Sequence, residues 1–147
     1  MTDNIAFRDV KSLKQLISTR QITPAELVDV FAERIDRYNV LSRAFITPTI
    51  DDAKKQAASL SRDELSASSF AGVPYASKDL FDVRGVLTTA GSRVFHDRVA
   101  KSDAYAVAKL RAAKAISLGK TNLHEFAYGA TGENEVYGTC VNAYDPT

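Results

Sequence analysis

The residue with the clearest capacity for chemistry is a lysine on an extended segment with apolar neighbours. In Gly72-Val-Pro-Tyr-Ala-Ser-Lys78-Asp79, alternation puts Lys78 on the strand face of Pro74 and Ala76, and Leu80 and Phe81 follow at once. Burial disfavours the charged form of a lysine, and a neutral lysine is a general base. Lysines are seldom fully buried, however, so the residue types favour a solvated Lys78 or one paired with Asp79 or Asp82. Residue chemistry alone does not overturn that preference.

Other candidates fall short. Ser68 and Ser69 sit in a polar stretch without flanking glycines, Ser77 faces the opposite side of the strand from Lys78, and Ser92 has no base nearby in sequence. None has the setting of a nucleophile. Gly119-Lys120-Thr121 matches the end of a phosphate-binding loop, but the first glycine of Gly-x4-Gly-Lys-Thr would fall on Lys114. A strand-to-turn connection is the better reading. His96 and His124 are the only histidines, and they read as surface or turn residues. Cys140 is the only cysteine, so neither an internal disulfide nor a metal set is expected, and it reads as a small, partly buried residue.

These residues need elements to hold them. Leu13, Leu16 and Ile17 mark a short amphipathic helix ending near Arg20. Thr23-Pro24-Ala25-Glu26 is a helix start, with Thr at the N-cap, Pro at the first position and Glu at the third. That helix should run to about Asn39 and bury Leu27, Val28, Phe31, Ile35 and Tyr38. A strand over Ala44 to Thr47 and a helix from Ile50 to about Leu60 follow, then a Ser-rich loop from Ser59 to Ser69. Val73 to Ser77 reads as a strand, and Asp103 as the cap of a helix carrying Val107 and Leu110. Ala115 to Leu118 returns as a buried strand, with at most one short helix near Asn122. Alternating strands and helices indicate α/β layering.

With 45% hydrophobic and 25% charged residues, the chain has the composition of a soluble globular domain. Its net charge of +1 and scattered basic residues offer no field to hold nucleic acid or an anionic membrane. The opening MTDNIAFRDVKSLKQL lacks the apolar core of a secretory signal, and a cytoplasmic location is expected.

Two long blocks carry a resemblance. Gly72 to Ser92, GVPYASKDLFDVRGVLTTAGS, resembles the amidase-signature block in which a Gly-x-Pro strand delivers a Lys-Asp pair to the active site. Asp103 to Thr139 is similar to the same family's helix, strand and Gly-Lys-Thr-Asn turn, in the same order and separation. The resemblance implies the amino-terminal part of the amidase-signature fold: a mixed sheet covered by helices, with a helical hairpin over 1–42 and the start of the α/β core over 43–147. It implies that Lys78 is the neutral end of a Ser-Ser-Lys relay. There the nucleophilic serine attacks an amide carbonyl, a second serine in a cis peptide passes its proton, backbone N–H groups hold the oxyanion, and water clears the acyl-enzyme. It further implies that Ala127 and Gly129 line the acyl pocket, that Thr131 offers a hydroxyl there, and that no metal or cofactor takes part. The resemblance implies a small-molecule amide as the partner, with no direct role for nucleic acid or membrane.

In the family both serines lie in a Gly-Gly-Ser-Ser-Gly-Gly-Ser type segment, shortly after a motif resembling Asn142-Ala143-Tyr144-Asp145-Pro146. The sequence ends at Thr147. The 147 residues by themselves are therefore expected to be inactive, and an exposed sheet edge is expected to promote self-association or a homodimer. Lys114 and Ala143 depart from the family, which usually has glycine at the first and Asn-Pro around the second; an αL helix end at Lys114 would be strained. Gly129 to Asn134, GATGEN, is similar to transamidase subunits that amidate misacylated tRNA, which is the alternative enzyme. A non-catalytic truncated remnant is the other alternative.

Overall fold

The computed structural model describes residues 5–144. Met1 to Asn4, at the start of the segment that lacks a secretory signal, and Asp145 and Pro146 of the carboxyl-terminal motif lie outside the described residues.

Two helices form, α1 (Val10–Ser18) and α2 (Pro24–Ser42); α2 starts at its capping sequence and runs past the expected Asn39. Asp9 caps α1 by accepting from Ser12 N at 2.7 Å. At α2, Thr23 Oγ1 accepts from Glu26 N at 3.2 Å while the Glu26 carboxylate accepts from Thr23 N at 2.8 Å. This capping box satisfies two donors that a helix start leaves orphaned. Leu13, Ile17, Ile22 and Leu27 then share a core with Val73, joining both helices to the start of the second strand. Each such side chain gains roughly 1.5–3 kcal/mol on full burial. Burial does not continue along α2 as expected. Phe31 and Ile35 are only half-buried, and Tyr38 is exposed, with the Arg34 and Arg37 guanidinium groups over its ring at 5.2 and 5.1 Å.

Strand β1 (Phe45–Pro48) leads into α3 (Ile50–Ser59). The Ser-rich stretch is not all loop: α4 (Arg62–Ser66) forms there, opened by a second capping box between Ser61 and Glu64. Strand β2 (Pro74–Lys78) is followed by a long loop with one 3-10 turn at Arg93–Phe95. Helix α5 (Tyr105–Ala112) leads to β3 (Ile116–Thr121) and a 3-10 turn at Glu125–Ala127. Asp103 does not cap α5. It accepts instead from Arg84 N at 2.7 Å and from the Arg111 guanidinium at 2.6 and 3.1 Å, and these charge-assisted partners outcompete a helix N–H.

Among the described residues the sheet has the order β1-β3-β2, with β1 antiparallel and β2 parallel to the central β3. Ile116 and Leu118 pack one face onto Val28 of α2 and Ala53 and Ala57 of α3. The β2–β3 pairing slips within β3: Tyr75 opposes Ser117 but Ser77 opposes Lys120, so β3 carries an extra residue. Gly119 sits at this bulge with φ +136°, and a Cβ there would meet Thr47 O at 2.3 Å. Only glycine lets β1 approach so closely. The bulge turns Lys120 away from the face of Ile116 and onto that of Ser77.

Helix α5 closes through Lys114 in the left-handed region, φ +62°, as the departure from glycine implied. Its carbonyl accepts from Gly72 N at 2.9 Å, and its ammonium pairs with Glu64 at 2.6 Å. Lys114 and the Ser61 N–H hold the Glu64 carboxyl down at about 2, from an ordinary 4.5. A depressed folded-state value means that the pair's contribution is complete above pH 4.5 and fades as pH falls toward 2. Replacing Lys114 with Gly removes αL strain worth about 1 kcal/mol but also removes this exposed pair. Urea unfolding of Lys114→Gly should show a net gain of up to about 1 kcal/mol at pH 7, with a flatter loss of stability below pH 4.5. Destabilisation at pH 7 would mean that the lost pair outweighs the relieved strain, against this expectation.

Candidate active site

Parallel strands β2 and β3 end side by side, and Lys78 stands opposite Thr121 at that end. The carboxyl ends of parallel strands are where open α/β sheets form their clefts. Ser77 is buried and Lys78 exposed, so the two point to opposite faces as alternation requires. Lys78 is open because β2 is the edge strand of the described sheet and nothing there covers the side chain. Nor is it paired: among the described residues Lys78 makes no side-chain hydrogen bond or ion pair. Asp82 is held by Arg98 through two bonds, at 2.7 and 2.8 Å, which keep its carboxyl below the usual range.

Asp79 is held by the other lysine. Lys120 Nζ donates to Asp79 Oδ1 at 2.7 Å and to Thr88 Oγ1 at 2.9 Å, and both Lys120 and Asp79 are 0% exposed. Thr89 donates to Asp79 Oδ2 through its N–H at 2.9 Å and its hydroxyl at 2.5 Å. Burial pushes the Lys120 ammonium below the ordinary lysine value, while the hydrogen bond and charge of Asp79 oppose that shift. Sealed and paired, Lys120 is unavailable as a base, and it cannot reach a phosphate as a phosphate-binding loop would require. The buried lysine of this site is therefore one that sequence reasoning passed over. Its signal was faint, since strict alternation from Ile116 would put Lys120 on the apolar face.

Residues 88–92 bridge the pair to the loop after β3. Ala90 N donates to Asp79 O at 3.0 Å, and Ala90 O accepts from Phe126 N at 2.8 Å. Asn134, buried, donates to Gly91 O and Leu123 O, both at 2.9 Å. Ala127 is half-buried in the left-handed region at φ +57°, directly after Phe126 at +54°. Gly129 lies against His124, whose ring a Cβ would meet at 2.4 Å, and Thr131 Oγ1 is 3.4 Å from His124 Nδ1. Ala127, Gly129 and Thr131 thus gather around His124 on the loop that leaves β3, tied through Ala90 to the residue after Lys78.

Ser68 and Ser92 stay out of this arrangement. Ser92 is fully buried and accepts from Val94 N, while Ser68 accepts from Phe70 N in its turn. A cavity of about 370 Å³ lies between α1, α2 and α4, lined by Ile17, Thr23, Pro24 and Leu65, and none of these strand-end residues borders it. Among the described residues no helix is long and apolar enough to cross a membrane, and no three His, Cys, Asp or Glu side chains are grouped to hold a metal.

The sequence profile of the family described as Amidase matches residues 26–147. The chain belongs to the amidase-signature family. It is 42% identical over 142 residues to a glutamyl-tRNA(Gln) amidotransferase subunit from Azoarcus sp. strain BH72, covering 94% of this chain and 29% of that one. Among solved structures, it superposes with a TM-score of 0.87 and 33% identity on a chain from a vestigial protein complex bearing on the origins of an s-triazine catabolic enzyme, covering 95% of this chain and 31% of that one. The peptide amidase of Stenotrophomonas maltophilia gives a TM-score of 0.80 at 28% identity, with 95% and 31% covered. This amidase-signature chain thus spans less than a third of the length of each of these relatives.

The two lysines make a sharp contrast that chemistry can read. Brief treatment with acetic anhydride followed by peptide mass spectrometry should acetylate Lys78 and leave Lys120 unmodified until the protein unfolds. Equal rates at the two positions would contradict the sealed pair.

Proposed function

We propose that the full-length protein cleaves a carboxamide C–N bond, with Lys78 as the proton acceptor of a Ser-Ser-Lys relay. The observation that supports this reading is the position of Lys78. It lies at the carboxyl end of β2, opposite Thr121, with its side chain committed to no other group among the described residues and its backbone anchored through Asp79.

The chemistry asks for two hydroxyls. One serine attacks the amide carbonyl and loses its proton to the second, which passes it to the Lys78 amine; the proton returns to the departing nitrogen, and water then releases the acid. Both serines come from outside the described residues, and the segment that carries them also covers Lys78 and favours its neutral form. Ala127, Gly129 and Thr131 line the acyl side of the substrate, with the Thr131 hydroxyl turned to a polar group. No metal or cofactor enters the scheme.

A transamidase is the second reading, favoured by the 42% identity to an amidotransferase subunit that its name connects with glutamyl-tRNA(Gln). Both readings share the first half of the reaction, acyl transfer from an amide to serine. They part at the fate of the nitrogen, which a hydrolase releases and a transamidase hands to a second substrate.

Full-length enzyme and its Lys78→Met variant should be assayed for ammonia release from L-glutamine, benzamide and a carboxyl-terminally amidated peptide. Lys78→Met should lose at least about a thousandfold in kcat, since a base and its relay act as a unit. Wild-type rates in the variant would sink the assignment. Release from benzamide or the peptide favours the hydrolase, and turnover of glutamine only with an acylated tRNA present favours the transamidase.

A further inference from the structure

Lys78 has no side-chain partner among the described residues, so what aims it must act through the backbone. The next residue is the most constrained group at this end of the molecule. Asp79 N donates to Thr121 O at 3.0 Å, and Asp79 O accepts from Ala90 N at 3.0 Å. Its two carboxylate oxygens take three more bonds, from Lys120 Nζ and from the N–H and hydroxyl of Thr89. Five hydrogen bonds therefore fix one residue, and through it the Cα–Cβ direction of its neighbour. Bridging β2, β3 and the loop over 88–92, they also set the Lys78 strand end relative to Phe126, which hangs from Ala90.

Stability alone accounts poorly for such an arrangement. Sealing two opposite charges at 0% exposure costs a large desolvation penalty that their attraction only roughly offsets, and an apolar pair of similar volume would often hold the fold as well or better. A charged pair does have one property that an apolar pair lacks. Its hydrogen bonds have a fixed length and direction, so they define the register of the joined strands to a few tenths of an ångström. Proton transfer to a base demands that kind of precision.

We infer that Asp79, Lys120 and Thr89 are positioning residues for Lys78, forming a buried polar clamp that sets where its amine meets the serine relay. This rests on the reading of Lys78 as the relay's base. None of the three touches substrate. Thr88 completes the clamp by accepting the second Lys120 bond, and the Gly119 bulge is what turns Lys120 into it.

The test uses full-length enzyme, the fastest of the three amides, and kcat expressed per natively folded molecule as judged by circular dichroism. Thr89→Val removes one hydroxyl from Asp79 at nearly constant volume and leaves the ion pair in place. It should lower kcat at least tenfold with KM changed less than twofold, and Thr89→Ser should restore most of the loss. Lys120→Met should lower kcat further in the same sense. If Lys120→Met fails to fold, the Thr89 pair still decides the matter. A Thr89→Val enzyme with a lower melting temperature but wild-type kcat would overturn the proposal, as would a rise in KM with kcat intact. Should Lys78→Met itself keep wild-type kcat, the underlying reading fails whatever Thr89 does; an inactive Lys78→Met beside a fully active Thr89→Val defeats the clamp alone.

Discussion

The ion pair between Asp79 and Lys120 is the constraint around which this fold is organised. Two full charges with no solvent contact can persist only if they meet each other and every remaining donor and acceptor is used, so the surrounding chain has to deliver partners to fixed points. Thr88 and Thr89 are delivered by the loop after β2, and Lys120 arrives through the bulge at Gly119. Once these are in place, β2 and β3 share an end and the segment from Leu123 to Asn134 is pinned over it through Ala90 and Gly91. The rest of the described chain supports that end from behind. Helices α2 and α3 cover the opposite face through Val28, Ala53, Ile116 and Leu118.

Much of this architecture is legible in the sequence where the cause is local. The capping box at Thr23 to Glu26 needs only four consecutive residues, and it forms as read. The αL closure at Lys114 follows from the departure from the family's glycine, and the backbone adopts it. Long-range competition defeats the same style of argument elsewhere. Asp103 has the chemistry of an N-cap, but Arg84 and Arg111 offer it better donors from outside the helix. Ser61 and Glu64 have the spacing of a capping box, but it is easily lost inside a stretch whose composition reads as loop.

Lys120 is the instructive miss. A period of two places it beside Ile116 and Leu118, and only the extra residue in β3 reverses its direction. A glycine within a strand is the one local sign that such a bulge is present. Lys78 is the simpler case. Residue chemistry favours a solvated side chain despite its apolar neighbours, and its place on an edge strand leaves it open in the described residues. Membership of the amidase-signature family rests on extended similarity through both blocks, and the physical reading of one lysine could not have supplied it.

The central claim is that Asp79 and Lys120 act as one interdependent unit. It is tested most directly by a double-mutant cycle on stability, with Asp79→Asn, Lys120→Met and the combined variant compared by urea unfolding at neutral pH. Each single change strands a buried polar group and should cost about 3–5 kcal/mol, because the other charge loses its partner. The double variant should then be at least about 2 kcal/mol more stable than the sum of the two losses allows. Losses that add to within about 0.5 kcal/mol would mean that the two groups do not depend on each other, and the account would be wrong.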